Sequence, residues 1–88
     1  MLFRSPSLEE VKLAICGALK LERQLSAADA LLESRWSRVG GDIVVEVGLS
    51  KAMLPVVLNP AAVAIATRAM EDVGEHSKLK VVSATAER

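Results

Sequence analysis

Two adjacent glycines, Gly40-Gly41, separate two strand-like runs, Arg35–Val39 and Asp42–Gly48. A two-residue hairpin loop needs positive φ at its central positions, which glycine adopts without a Cβ clash. The pair therefore commits the middle of the chain to an antiparallel hairpin, and the remaining elements must be arranged around it. Alternation along the second run puts Ile43, Val45 and Val47 on one face and Val44 and Glu46 on the other. Trp36 falls on the first strand, at a half-buried position.

Helical signals flank the hairpin. Ser7-Leu8-Glu9-Glu10 has the form of a capping box, and Leu8, Val11, Ile15, Ala18 and Leu19 follow at helical spacing. This predicts a helix from Leu8 to Leu21 or Arg23. Gly17 inside it costs about 1 kcal/mol relative to Ala and leaves room for another element to pack closely. Ser26-Ala27-Ala28-Asp29 repeats the capping logic in a weaker form and predicts a short helix over Ala27–Glu33, with Leu31 and Leu32 inward. Ser50 can cap a short helix starting at Lys51, but Pro55 sits awkwardly in it, so helix or irregular turns over Lys51–Leu58 are favoured over an extended Pro55–Leu58. Asn59-Pro60 is an N-cap followed by the imino acid favoured at the first helical position. Val63, Ala66, Met70 and Val73 recur after it, and Gly74 is placed to end that helix in the left-handed region. The predicted helix is Pro60–Val73. Leu79–Ser83 reads as a last strand, with Lys78 and Lys80 on one side and Leu79 and Val81 on the other.

The 88 residues suffice for one domain, 1–88, with residues 1–6 and 84–88 read as frayed ends or linker. The order α-α-β-β-(α)-α-β, with a three-stranded sheet, predicts a two-layer α+β domain. No apolar run reaches the length of a membrane span, and residues 1–7 lack the apolar core of a secretory signal. With a single cysteine, Cys16, in an apolar helical pattern, these features point to the cytoplasm.

The chemistry-bearing residues are sparse. A nucleophile needs a base within hydrogen-bond reach, and the one histidine, His76, lies in a polar turn, Gly74-Glu75-His76-Ser77. One His and one Cys make no metal signature, and Gly40-Gly41 opens a strand where a phosphate cradle opens a helix. The expectation is a non-catalytic chain with no cofactor. Eleven acidic residues balance eleven basic ones, so there is no global pull toward nucleic acid. Local contact with nucleic acid through Arg35, Arg38, Lys51, Lys78 and Lys80 stays open, although the chain has one Trp, one Phe and no Tyr for base stacking. The segment Met53–Val63 is rich in apolar residues and broken by two prolines. A small domain has difficulty burying all of them, which marks Met53, Leu54, Val56 and Val57 as candidate partner-binding residues. A helix–helix dimer through the Ala-rich stretch from Pro60 also stays open.

The runs Ala28–Trp36, Val39–Val47, Lys51-Ala52-Met53-Leu54, Leu58-Asn59-Pro60, Val63–Met70, Val73-Gly74 and Leu79-Lys80-Val81 together give a pattern. It resembles the carboxy-terminal domain of the gamma/tau subunit of bacterial DNA polymerase III clamp loaders. The amino-terminal domain of the bacterial replication initiator has a similar layout, and both are similar to KH-type folds, whose Gly-x-x-Gly loop is missing here. The segment after the hairpin also lacks the aromatic residue usual in the gamma/tau pattern, and no Walker motif of the clamp-loader ATPase is present. The resemblance implies a module that docks to replisome proteins, either the polymerase alpha subunit or the replicative helicase. The alternative is a small KH-like nucleic-acid binder.

Overall fold

A computed structural model describes residues 6–48 and 53–83. The expectations placed on Ser50, on Lys51 and on residues 84–88 lie outside the described residues. The elements run α1 (Leu8–Leu21), α2 (Leu25–Leu32), β1 (Arg35–Val39), β2 (Asp42–Val47), α3 (Leu54–Val57), α4 (Pro60–Asp72) and β3 (Leu79–Ser83). The architecture is α+β, with a three-stranded mixed sheet in the order β1-β2-β3.

The hairpin forms as its glycines dictate. Gly40 and Gly41 take φ of 59° and 90°, and Val39 pairs with Asp42 across the turn. β2 pairs antiparallel with β1 and parallel with β3, so it is the central strand. Its inward residues Ile43, Val45 and Val47 are fully or almost fully buried. The helices cover this face alone. The other face carries Arg35, Ser37 and Val39 from β1, Val44 and Glu46 from β2, and Lys80 and Val82 from β3.

α1 begins at the expected capping box: Ser7 Oγ accepts the Glu10 N–H at 3.1 Å, and the Ser7 N–H donates to Glu10 Oε1 at 2.7 Å. It ends in a Schellman turn in which the Gln24 N–H reaches the Leu19 carbonyl at 2.8 Å and Arg23 takes φ of 66°. That turn moves the start of α2. The Ala28 N–H donates to the Gln24 carbonyl at 3.0 Å, so the helix begins at Leu25 with Gln24 as an N-cap that lends no side-chain oxygen. The Ser26 cap does not form, because Ser26 already lies in the first turn.

α1 is the middle of the helical layer, with α2 on one side and α4 on the other. Val11, Ile15, Cys16 and Leu19 of α1 are buried, together with Leu31 of α2. Gly17 lies on the solvent side, where an added Cβ would meet no atom within 4 Å. The close approach anticipated at Gly17 occurs instead along α4, whose buried residues are Ala62, Ala66, Ala69 and Met70. Three alanines bring the backbones of α1 and α4 together, which turns Val63 and Val73 outward, to 49% and 36% exposure. Of the four residues at helical spacing in the sequence, Ala66 and Met70 lie on the buried stripe and Val63 and Val73 lie off it. Asn59 Oδ1 caps this helix by accepting the Ala62 N–H at 3.0 Å. Gly74, with φ of 87°, closes it in a second Schellman turn in which the Glu75 N–H donates to the Met70 carbonyl at 2.8 Å. α3 is helical but begins only at Leu54, which puts Pro55 in its first turn, where a missing N–H is harmless.

Candidate protein-docking groove

The helical layer does not reach the far edge of the sheet. β2 is the one element packed closely along β3 among the described residues. The gap is a groove of about 620 Å³ between α3, α4 and β3. Leu54, Pro55 and Leu58 form one wall, and Val63, Ala66, Thr67 and Met70 form the other. Leu79 and Val81 project into it from β3, while Glu71, His76, Ser77 and Lys78 stand at its polar end.

The four candidate partner-binding residues separate here. Leu54 lines the groove and is half-buried; Met53 and Val56 are 45% and 67% exposed beside it. Val57 faces the other way and is buried in the core, so it is a packing residue. Leu58 and Val63, both part of the apolar surplus read from Met53–Val63, belong to the groove, and so do Leu79 and Val81, which the sequence marks only as strand residues. The fold brings β3 alongside the consecutive helices α3 and α4, which joins the two pairs.

The basic candidates do not form one patch. Arg35 and Lys80 lie on the open face of the sheet, and Arg38 lies on the helix-facing side. Lys51 lies outside the described residues. Lys80 Nζ stands 3.7 Å from Asp42 Oδ2, and the Lys78 N–H donates to Asp42 Oδ1 at 3.4 Å.

Arg38 is committed elsewhere. Its guanidinium donates to both carboxylate oxygens of Glu75, at 2.7 and 3.1 Å, and to the Pro6 carbonyl at 3.2 Å. Pro6, read from the sequence as part of a frayed end, is thus tied to β1. The Arg38 hydrogen bonds bring the Glu75 carboxyl down to about 2, with the Ser77 hydroxyl helping and burial opposing. Ser77 gives its hydroxyl to Glu75. Cys16 is buried in the helical layer, and that burial pushes its thiol up, away from the nucleophilic thiolate. His76 is exposed at the groove end. Among the described residues no group of three or more His, Cys, Asp or Glu could hold a metal ion. No described helix is long and apolar enough to cross a membrane.

A second hollow, of about 590 Å³, lies on the outer surface between α1 and α4 and is lined by Ala18, Leu21, Ile65 and Arg68. It is bounded by helices alone, whereas the first groove is bordered by a strand edge. The fold and the groove define a two-layer α+β domain with an apolar trough along one edge of its sheet. Comparison with protein-family models, with curated proteins and with solved structures finds no match to this chain.

Proposed function

We propose that this chain is a non-catalytic protein-interaction module whose docking surface is the groove between α3, α4 and β3. The observation that carries this reading is the position of Leu54, Leu58, Val63, Leu79 and Val81 around one open trough, outside the alanine-lined contact between α1 and α4. Apolar side chains gathered in a concave surface are what a partner protein covers. The likeness to the gamma/tau carboxy-terminal domain suggests replisome proteins as partners, acting in the cytoplasm in DNA replication. The test is a pull-down with the polymerase alpha subunit and with the replicative helicase, with the purified chain and with its Val63→Glu variant. Capture by one of them, lost in the variant, supports the reading. Absence of binding to both at tens of micromolar counts against replisome docking.

A second reading, a KH-like nucleic-acid binder, is favoured by the run β2–α3–α4–β3, two parallel strands joined by a helix pair. KH domains clamp the nucleic-acid backbone with the glycine-rich loop between such helices. Here that connection is Leu58-Asn59, without glycine, and Arg35 and Arg38 point to opposite faces of the sheet. The protein-docking reading therefore stands first. A salt-dependent shift of labelled single-stranded DNA or RNA, lost on replacing Lys78 and Lys80, would reverse the order.

A further inference from the structure

β3 is an edge strand: one side meets β2, and the other meets no strand among the described residues. A parallel ladder engages alternate residues of each strand. The Ile43 N–H donates to the Lys78 carbonyl at 2.9 Å, and Ile43 lies opposite Leu79 in the register. The backbone groups of Lys78, Lys80 and Val82 therefore serve β2. Those of Leu79 and Val81 point away from the sheet, and no described residue takes them. The side chains of the same two residues lie in the groove. One short stretch of chain thus offers a hydrogen-bonding edge and an apolar trough beside it. A helix laid in the trough would leave the edge unpaired, whereas an extended segment satisfies both.

Charge then selects the residues of that segment. Side chains of an added strand alternate between the two faces. On the helix side they enter the groove among Leu58, Val63 and Met70, which favours apolar residues. On the open side they stand beside Lys80, whose side chain is 61% exposed and only loosely held by Asp42. This favours acidic residues. Glu71 on the helix wall repels acidic side chains from that side and reinforces the alternation. The geometry points to an extended segment of a partner protein, alternating apolar and acidic residues, that adds to β3 as a fourth strand. This rests on the docking reading above and names the chemistry of what docks.

The test is a titration of the isotope-labelled protein with the synthetic peptide Ile-Asp-Val-Glu-Val-Asp-Leu, followed by NMR. The expected shifts are at the Leu79 and Val81 amides and at the Met70 and Leu58 methyl groups. Val81→Pro removes an outward N–H and also replaces the valine side chain in the groove; it should weaken binding by about tenfold or more, with thermal unfolding checking that the variant folds and the methylated peptides isolating the hydrogen bonds. In unmutated protein, methylating the edge-facing amides of the peptide should abolish binding, and methylating the alternate amides should spare it. A peptide with Lys at its Asp and Glu positions should not bind. The strand-addition inference falls if both methylated series bind alike, or if the Lys peptide binds as well as the acidic one. If Val63→Glu abolishes binding while Val81→Pro leaves it unchanged, the groove docks its partner in another form; the inference falls and the docking reading survives. If neither this peptide nor the replisome proteins bind, both fall. Binding of a single-stranded oligonucleotide through Lys78 and Lys80, with the peptide inert, overturns the inference in favour of nucleic acid.

Discussion

Arg38 of β1 and Glu75 of the turn after α4 meet in a two-pronged ion pair, with nitrogen–oxygen distances of 2.7 and 3.1 Å. The pair ties the connection leading into β3 to the opposite edge of the sheet. Glu75 is the buried partner, at 6% exposure, and Arg38 remains 37% exposed.

This arrangement gives stability a definite pH dependence. The carboxyl sits at about 2 in the folded protein, below its ordinary value of 4.5. A depressed folded value means that the stabilisation is present above pH 4.5 and is lost as pH falls toward 2. Solvent around Arg38 screens the pair, so the contribution is on the order of 1–2 kcal/mol. Urea midpoints measured from pH 6 down to pH 2 should fall in this window, and Glu75→Gln should flatten that part of the decline. Arg38→Ala should cost more than Glu75→Gln, about 2–4 kcal/mol, because it strands a buried carboxylate. Equal losses in the two variants would contradict the assignment of Glu75 as the buried partner.

One position in α1 and one in the turn after it hold stability in reserve. Gly17 faces solvent with open space around it, so Gly17→Ala should stabilise the protein by about 1 kcal/mol. Arg23 holds a left-handed φ of 66°, which glycine adopts without strain, so Arg23→Gly should add about 0.5–1 kcal/mol. Thermal unfolding of each variant is the check. Destabilisation by Gly17→Ala would mean that another element does pack against that face.

The Trp36 indole N–H donates to the Leu31 carbonyl at 2.8 Å, which also accepts the Ser34 N–H at 3.2 Å, and so ties the end of α2 to the neighbouring strand. Trp36→Phe keeps most of the packing and loses the bond, so it should cost about 1 kcal/mol. Chemical denaturation followed by circular dichroism measures it directly. As the one tryptophan, Trp36 should also report unfolding by a red shift of its emission, in step with the loss of helix.

Local rules carried the hairpin, the α1 capping box, the Asn59-Pro60 start of α4 and the strand at Leu79–Ser83, because each depends on residues a few positions apart. The departures have tertiary causes. The start of α2 follows from the Schellman turn at Arg23, which orients Gln24, and no side-chain cap announces it. Glu75 sits in a polar turn that reads as solvent-exposed, and only its distant partner Arg38 draws it inside. Of the groove, the sequence marked the apolar surplus around Met53–Val63 but not its location, which depends on where α4 lies relative to β3.

The alanine face of α4 supplies the last prediction. Helical spacing selects Val63, Ala66, Met70 and Val73, yet the buried stripe is Ala62, Ala66, Ala69 and Met70, with both valines outside it. Ala62 is fully buried, lines neither hollow, and lies on the helix that packs along α1. Ala62→Leu should therefore cost about 1–3 kcal/mol through overpacking, although it adds an apolar group to an apolar contact. Val63 is 49% exposed on the groove wall, so Val63→Ala should leave stability within about 0.5 kcal/mol, since alanine also favours helix. Paired urea denaturation curves decide the matter. Were Val63→Ala the damaging substitution and Ala62→Leu the tolerated one, α4 would be facing the core with its valines, and the groove would lose one of its walls.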